Sequence, residues 1–204
     1  MKKYILTIII TAAALLCASH AAQAAVYYVS PAGSDSRTAA QAQNPATPWK
    51  TIQKAANTMH AGDTCLVHPG TYQEHVSTKF GGTDDSHRIT FKAQGTATMQ
   101  GVNIMHPYVT VDGFDITGYT ATNLGHITIF IGGNYCQILN NTIRDGAGEV
   151  YGILFYNSSG SSASNCVVRG NTLTNINFHF LKADGSGHLF ENNLAAVFRS
   201  EVGG

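Results

Sequence analysis

Three short runs bring together the residue types with the most chemical reach: HITIFIG (126–132), YGILFYN (151–157) and FHFLKAD (178–184). Each alternates apolar and other side chains, the signature of a strand with one buried face. Placing Ile127, Ile129 and Ile131 inward turns Thr128 and Phe130 outward. Placing Ile153 and Phe155 inward turns Leu154 and Tyr156 outward. With His179, Leu181 and Ala183 inward, Phe178, Phe180 and Lys182 face out, whereas the opposite phase would bury the Lys182 ammonium. Burying it unpaired costs several kcal/mol. The outcome is an outer strip of Phe130, Tyr156, Phe180 and Lys182, three aromatic rings beside one cation. Lys182 is the candidate base of that strip, since neighbouring cations can make a lysine give up its proton near neutral pH. The plain alternative is a solvated surface lysine. Asp145, Glu149 and Asp184 fall in turns near the strip and are candidate Ca²⁺ ligands as hard oxygen donors, although their spacing is not that of a recognised calcium loop. Arg144 could neutralise an acidic substrate group, or be an ordinary surface residue. The eight histidines after residue 24 are scattered, and no pair has the close spacing of a zinc site.

Composition limits what could position these groups. The 204 residues balance 12 Lys+Arg against 12 Asp+Glu, and only 12% are charged, about half the usual share. That leaves no basic excess to attract nucleic acid. Glycine is frequent at 21 residues and 44% of the chain is hydrophobic, which suits a β-rich domain with many tight turns and not a disordered chain.

The N-terminus reads as an address. Lys2 and Lys3 precede an apolar stretch from Tyr4 to Cys17, followed by Ala22-Gln23-Ala24. This is the charged, apolar, A-x-A pattern of a secretory signal peptide, too short to span a membrane. Cleavage is expected after Ala24. It removes two of the twelve basic residues and none of the twelve acidic ones, for a net charge near −2. The mature protein is expected to be secreted or periplasmic, with no membrane attachment.

Residues 30–50 hold three of the five prolines and read as a structured loop. A short helix follows over 48–59, with Thr47 as cap, Pro48 at its first position, and Ile52, Ala55, Ala56 and Met59 on one buried face. Beyond Thr64 only short β-prone runs appear.

Those runs contain a repeat: VTVDGFDI (109–116), CQILNNTI (136–143), CVVRGNTL (166–173) and HLFENNLA (188–195). Val111, Ile138, Val168 and Phe190 form an apolar column. Three residues later stand Phe114, Asn141, Asn171 and Asn193, and two further on Ile116, Ile143, Leu173 and Ala195. The spacing between repeats is 27, 30 and 22 residues, so the pattern is kept while the connecting loops vary. No such segment can bury its own apolar face, so successive segments must stack, strand on strand. Asn141, Asn171 and Asn193 would then form a ladder at a corner, each amide donating to one layer and accepting from the next. A β-sandwich with Asn-rich turns explains the turns but not the fixed three-residue offset. In the stack Cys136 and Cys166 share a column, about 4.8 Å apart. They read either as a disulfide, permitted outside the cell, or as two small buried apolar residues.

YYVSPAGSDS (27–36), TPWKTIQKAANTMHAGDTCLVHPGTYQEHV (47–76) and the N-N-T-I repeats together resemble the secreted right-handed parallel β-helix proteins of the pectate-lyase-like superfamily. The resemblance implies an all-β, right-handed parallel β-helix with a short N-terminal capping helix. Its parts would be a leader (1–24), a cap with the first strands (25–88) and about five coils (89–204), the first near Ile89–Gly101. It also implies a polysaccharide partner along one outer face. The implied reaction is β-elimination on a uronate-containing glycan such as pectate or alginate, with charge stabilised by Ca²⁺ or a cation. The relatives are usually longer, so a truncated product, a fragment, or end-to-end self-association of open coils also fits. Two readings follow: a polysaccharide lyase-like enzyme with Lys182 and Arg144 as catalytic residues, or a non-catalytic glycan-binding module.

Overall fold

A computed structural model describes residues 24–118, 127–145, 151–155, 163–176 and 179–196. The expected leader falls outside them except for Ala24, as do Glu149, Tyr156 and Phe178.

In chain order the described elements are β1 (Val26–Val29), α1 (Ala39–Ala42), α2 (Ile52–Ala56), β2 (Thr64–Val67), β3 (Gly70–Ser77), β4 (Ile89–Ala93), β5 (Ala97–Ile104), β6 (Val109–Asp112), β7 (Asp115–Ile116), β8 (Ile127–Ile131), β9 (Gln137–Leu139), β10 (Thr142–Arg144), β11 (Tyr151–Phe155), β12 (Val167–Arg169), β13 (Thr172–Thr174), β14 (His179–Ala183), β15 (Leu189–Glu191) and β16 (Leu194–Ala196). They build two sheets, and every strand pair is parallel. One sheet runs β1-β2-β4-β6-β9-β12-β15. The other runs β14-β11-β8-β5-β7-β10-β13-β16, with β3 also on β5. The long strand β5 serves both limbs of this second sheet: Thr98 and Met99 pair with β7, while Val102 to Ile104 pair with β8.

The register lays like residues over like. Val111, Ile138, Val168 and Phe190 are direct partners, and so are Ile116, Ile143, Leu173 and Ala195. Both columns were expected from the repeat. From Ile89 onward five described strands stack in the first sheet, and β1 and β2 add two earlier layers. Those two lack the Asn corner, which hides them from a search for the repeat. The core is the space inside the columns. Tyr27, Cys65, Phe91, Val111, Ile138 and Val168 line one wall, and Val76, Val102, Ile129 and Ile153 another, all buried.

The Asn corner forms a continuous ladder. Asn141 N–H and Nδ2 both donate to Asn171 Oδ1, at 2.9 and 3.1 Å, and Asn171 N–H and Nδ2 both donate to Asn193 Oδ1, at 2.9 and 3.0 Å. The amides also donate to Val111, Ile138 and Val168 carbonyls. Phe114 closes the ladder, its N–H donating to Asn141 Oδ1 at 2.9 Å. The residue before each rung (Gly113, Asn140, Gly170 or Asn192) has positive φ, the conformation that Gly and Asn adopt most readily. This local demand explains why the repeat reads Gly-Phe, Asn-Asn or Gly-Asn at the corner.

The helix begins later than expected. Thr51, not Thr47, is the cap: its hydroxyl accepts from Lys54 N at 3.1 Å. Asp35 holds the approach by accepting from Lys50 N and Thr51 N, and Glu74 accepts from Ile52 N and Gln53 N at 3.1 and 2.8 Å. Trp49 instead bridges to Val29 in extended backbone, so Pro48 is not a helical position. The loop at 30–50 contains one further turn of helix, α1, closed by a capping box between Thr38 and Gln41. Trp49, Ile52, Ala55, Ala56 and Met59 are all buried in the core cluster. No helix among the described residues is long and apolar enough to cross a membrane.

Candidate functional site

Strands β3, β5, β8, β11 and β14 carry one column on the side away from the core, set by register: Ser77, Asn103, Phe130, Leu154 and Lys182, of which Leu154 is itself buried. Inward neighbours Val102, Ile129 and Ile153 anchor it, since alternate residues of a strand face opposite ways. At its middle lies a cleft of about 210 Å³ lined by Asn103, Met105, Ile127 and Phe130. Met105 is exposed and the Phe130 ring is half-buried. One aromatic face, one flexible thioether and one amide in a shallow cleft can hold a ring that is apolar on its face and hydroxylated at its edge.

Beside this column the His75 ring lies across Gly101. A β-carbon on Gly101 would stand 2.6 Å from the ring and 2.4 Å from the Thr128 carbonyl oxygen, so only glycine fits. His75 Nε2 is 3.2 Å from the Ile127 carbonyl oxygen. Burial disfavours the imidazolium and lowers the His75 pKa, with the Ile127 carbonyl opposing.

The structure brings Phe130 and Lys182 into one file, two rungs and roughly 10 Å apart. Lys182 is exposed, over an apolar column of Leu154 and Phe130. Phe180 is half-buried and packs against the core, so it is a weaker platform than a fully outward ring. His179 is exposed, not inward: it starts its strand at the margin of the core, and its ring stacks on Tyr151 with centroids 5.2 Å apart. Tyr156 lies outside the described residues.

Arg144 is not poised for a substrate carboxylate. Its Nε and Nη2 each donate to Asp115 at 2.9 Å, and its Nη1 donates to Asp145 at 2.8 Å. The two carboxylates hold its pKa above the ordinary arginine value. Asp145 also accepts from Asn175 Nδ2 at 2.9 Å, and this bond, with Arg144, holds its carboxyl below the usual range. Asp184 follows β14 at a different corner, where its N–H donates to the Phe155 carbonyl and its own carbonyl stands 3.1 Å from His188 Nε2. Glu149 is outside the described residues, among which no three His, Cys, Asp or Glu side chains group as a metal site. Asp145 and Asp184 thus follow different strands, and the Asp145 carboxylate is already engaged by Arg144 and Asn175.

The Cys136–Cys166 disulfide is not present: both are free buried thiols. Side chains stacked in register point the same way, so their β-carbons stay near the strand spacing of about 4.8 Å, beyond the roughly 3.8 Å typical of a disulfide. Each thiol donates instead to a carbonyl, Cys136 to His106 at 3.3 Å and Cys166 to Gly133 at 3.4 Å.

Asn103, Met105, His75 and Gly101 escaped the sequence reading. Extending the alternation one layer back, to Val102-Asn103-Ile104, would have put Asn103 under Phe130. Nothing local marks His75, which comes from β3, 26 residues before its register partner Gly101.

No family model matches the chain, and no curated protein matches it. Its fold is similar to that of several solved structures. A rhamnogalacturonan lyase superposes with a TM-score of 0.65 at 19% identity, covering 84% of this chain and 51% of that one. A GH136 lacto-N-biosidase from Eubacterium ramulus gives 0.60 at 15% identity, covering 84% and 41%. XylC, in its complex with xylose, gives 0.61 at 15% identity, covering 82% and 53%. The chain thus spans about half of these structures or less, and at such identities the likeness is one of fold.

Proposed function

We propose that this chain is a right-handed parallel β-helix, exported by its N-terminal leader, that binds a uronate-containing polysaccharide along the column from Asn103 to Lys182 and cleaves it by β-elimination. The observation that carries the reading is the cleft of Asn103, Met105, Ile127 and Phe130 on an outer face, in file with Lys182. The fold it shares with a lyase acting on rhamnogalacturonan and with two proteins named for other sugars supports a glycan as the ligand.

In the proposed step the Lys182 amine removes the proton on the carbon next to the uronate carboxylate. That electron pair forms a carbon–carbon double bond, the bond to the glycosidic oxygen breaks, and the departing oxygen takes a proton from water. Calcium could neutralise the uronate only with donors beyond Asp145 and Asp184, so no step is assigned to it.

The test is incubation of the leader-free protein with pectate, rhamnogalacturonan, alginate and glycosaminoglycans, with and without Ca²⁺, following the ultraviolet absorbance of the unsaturated product. One substrate should give product, and Lys182→Ala should abolish it. Silence with every substrate overturns the lyase assignment.

A second reading, a glycan-binding module without turnover, is favoured by Arg144, whose donors are taken up by Asp115 and Asp145. Binding that survives Lys182→Ala but is lost in Phe130→Ala selects it.

A further inference from the structure

Asp63 is buried, with 6% exposure. Its two oxygens each accept a backbone N–H at 2.8 Å, Oδ1 from Ala25 and Oδ2 from His60. Among the described residues no lysine or arginine pairs with it. A carboxylate taken out of water without an opposite charge is costly even when hydrogen-bonded. The Tyr27 hydroxyl feels that charge: burial, and then Asp63, push its pKa up.

Ala25 is fixed on both sides. Its N–H is on Asp63, and its carbonyl accepts from Thr64 N at 2.9 Å. Ala24, one residue earlier, is exposed. The A-x-A pattern at Ala22-Gln23-Ala24 places the scissile bond between these two residues.

We infer that the mature chain begins at Ala25 and that its α-ammonium is the missing counter-charge of Asp63, so that leader removal completes a half-buried ion pair at the edge of the first layer. A signal peptidase of the secretory route hydrolyses the Ala24–Ala25 amide with one water. The carboxylate leaves on Ala24, and the amine left on Ala25 takes a proton at neutral pH. The nitrogen that gave Asp63 a single neutral N–H then gives it a charge-assisted bond, the stronger kind. In the unprocessed chain Asp63 has amide donors only.

This inference rests on the leader reading, and the experiment separates the two. The full chain is exported from a secreting host and its intact mass measured. A mass beginning at Ala25 is expected, and export with any other start overturns the inference. A chain retained uncut removes the leader reading as well. The processed protein is then melted beside a form carrying Gly-Ser-Ala ahead of Ala25, both with Asp63 and with Asp63→Asn. The processed protein should melt higher than the extended one by about 5 °C or more, and Asp63→Asn should erase that gap. Equal melting of the two forms with Asp63 intact overturns the ion pair even where the cut is confirmed. That comparison alone decides if Asp63→Asn does not fold.

Discussion

The Asn corner and the Phe130 face belong to the same stack of layers, yet they obey opposite rules. At the corner, Asn141, Asn171 and Asn193 repeat because each amide must satisfy the layer on either side of it. On the face, the column reads Ser77, Asn103, Phe130, Leu154, Lys182, with no residue repeated. Identity is kept where the partner is another copy of the same position. It varies where the partner is solvent or a ligand. Mutations at the corner should therefore cost stability, and mutations on the face should cost binding.

Asn171→Ala tests the first half with the largest expected effect. It strips acceptors from Asn141 N–H and Nδ2 and a donor from the Ile138 carbonyl, all buried. At about 1–3 kcal/mol for each buried group left unsatisfied, the total should exceed 3 kcal/mol by urea unfolding. A loss under about 1 kcal/mol would show that the corner is not what ties the layers together. Gly101→Ala comes next, because it mixes the two costs. Its added methyl meets the Thr128 carbonyl and the His75 ring. Destabilisation of about 1–3 kcal/mol is expected from overpacking, together with weaker glycan binding as His75 and the neighbouring cleft shift.

The difference between the regions also decided what could be read from sequence. The inward columns and the ladder were legible because stacking forces a periodic pattern, and Val111, Ile138 and Val168 stand where the pattern placed them. The helix cap was misplaced because a Thr-Pro pair carries the same local signal at 47–48 as Thr51 does in fact; the choice is made by Asp35 and Glu74, both distant in sequence. The face was half legible. Alternation put Phe130 and Lys182 outside, but it cannot say that Asp115 comes within reach of Arg144, or that His75 folds over Gly101. Those meetings depend on loop lengths, which the repeat leaves free.

A paired substitution sharpens the comparison at lower cost. Arg144→Ala removes a half-exposed guanidinium from two carboxylates, and such pairs contribute roughly 1 kcal/mol or less. Glycan binding should be unchanged. Phe130→Ala should leave stability within about 1 kcal/mol, since the ring is half-buried, while lowering glycan affinity about tenfold or more. If both variants bind equally well, the cleft at Phe130 is not the glycan site. If Arg144→Ala is the one that fails, the guanidinium exchanges Asp115 for a substrate.

The smallest effect separates the regions by pH. His75 is half-buried and holds its proton less tightly folded than unfolded. A histidine with a depressed folded pKa contributes stability that is fully present above its unfolded value, about 6.5, and is lost as pH falls below it, because the unfolded chain then binds the extra proton. Asp145, with its carboxyl held low by Asn175 and Arg144, behaves as a depressed acid. Its contribution is present above about 3.9 and is lost only as pH falls further. Urea midpoints should therefore drop in two steps on acidification. His75→Gln should flatten the step beginning near pH 6.5 and leave the more acidic one, while Arg144→Ala should do the reverse. Identical pH profiles for wild type and His75→Gln would mean that the histidine stays hydrated when folded, and the close seat over Gly101 would have to be abandoned.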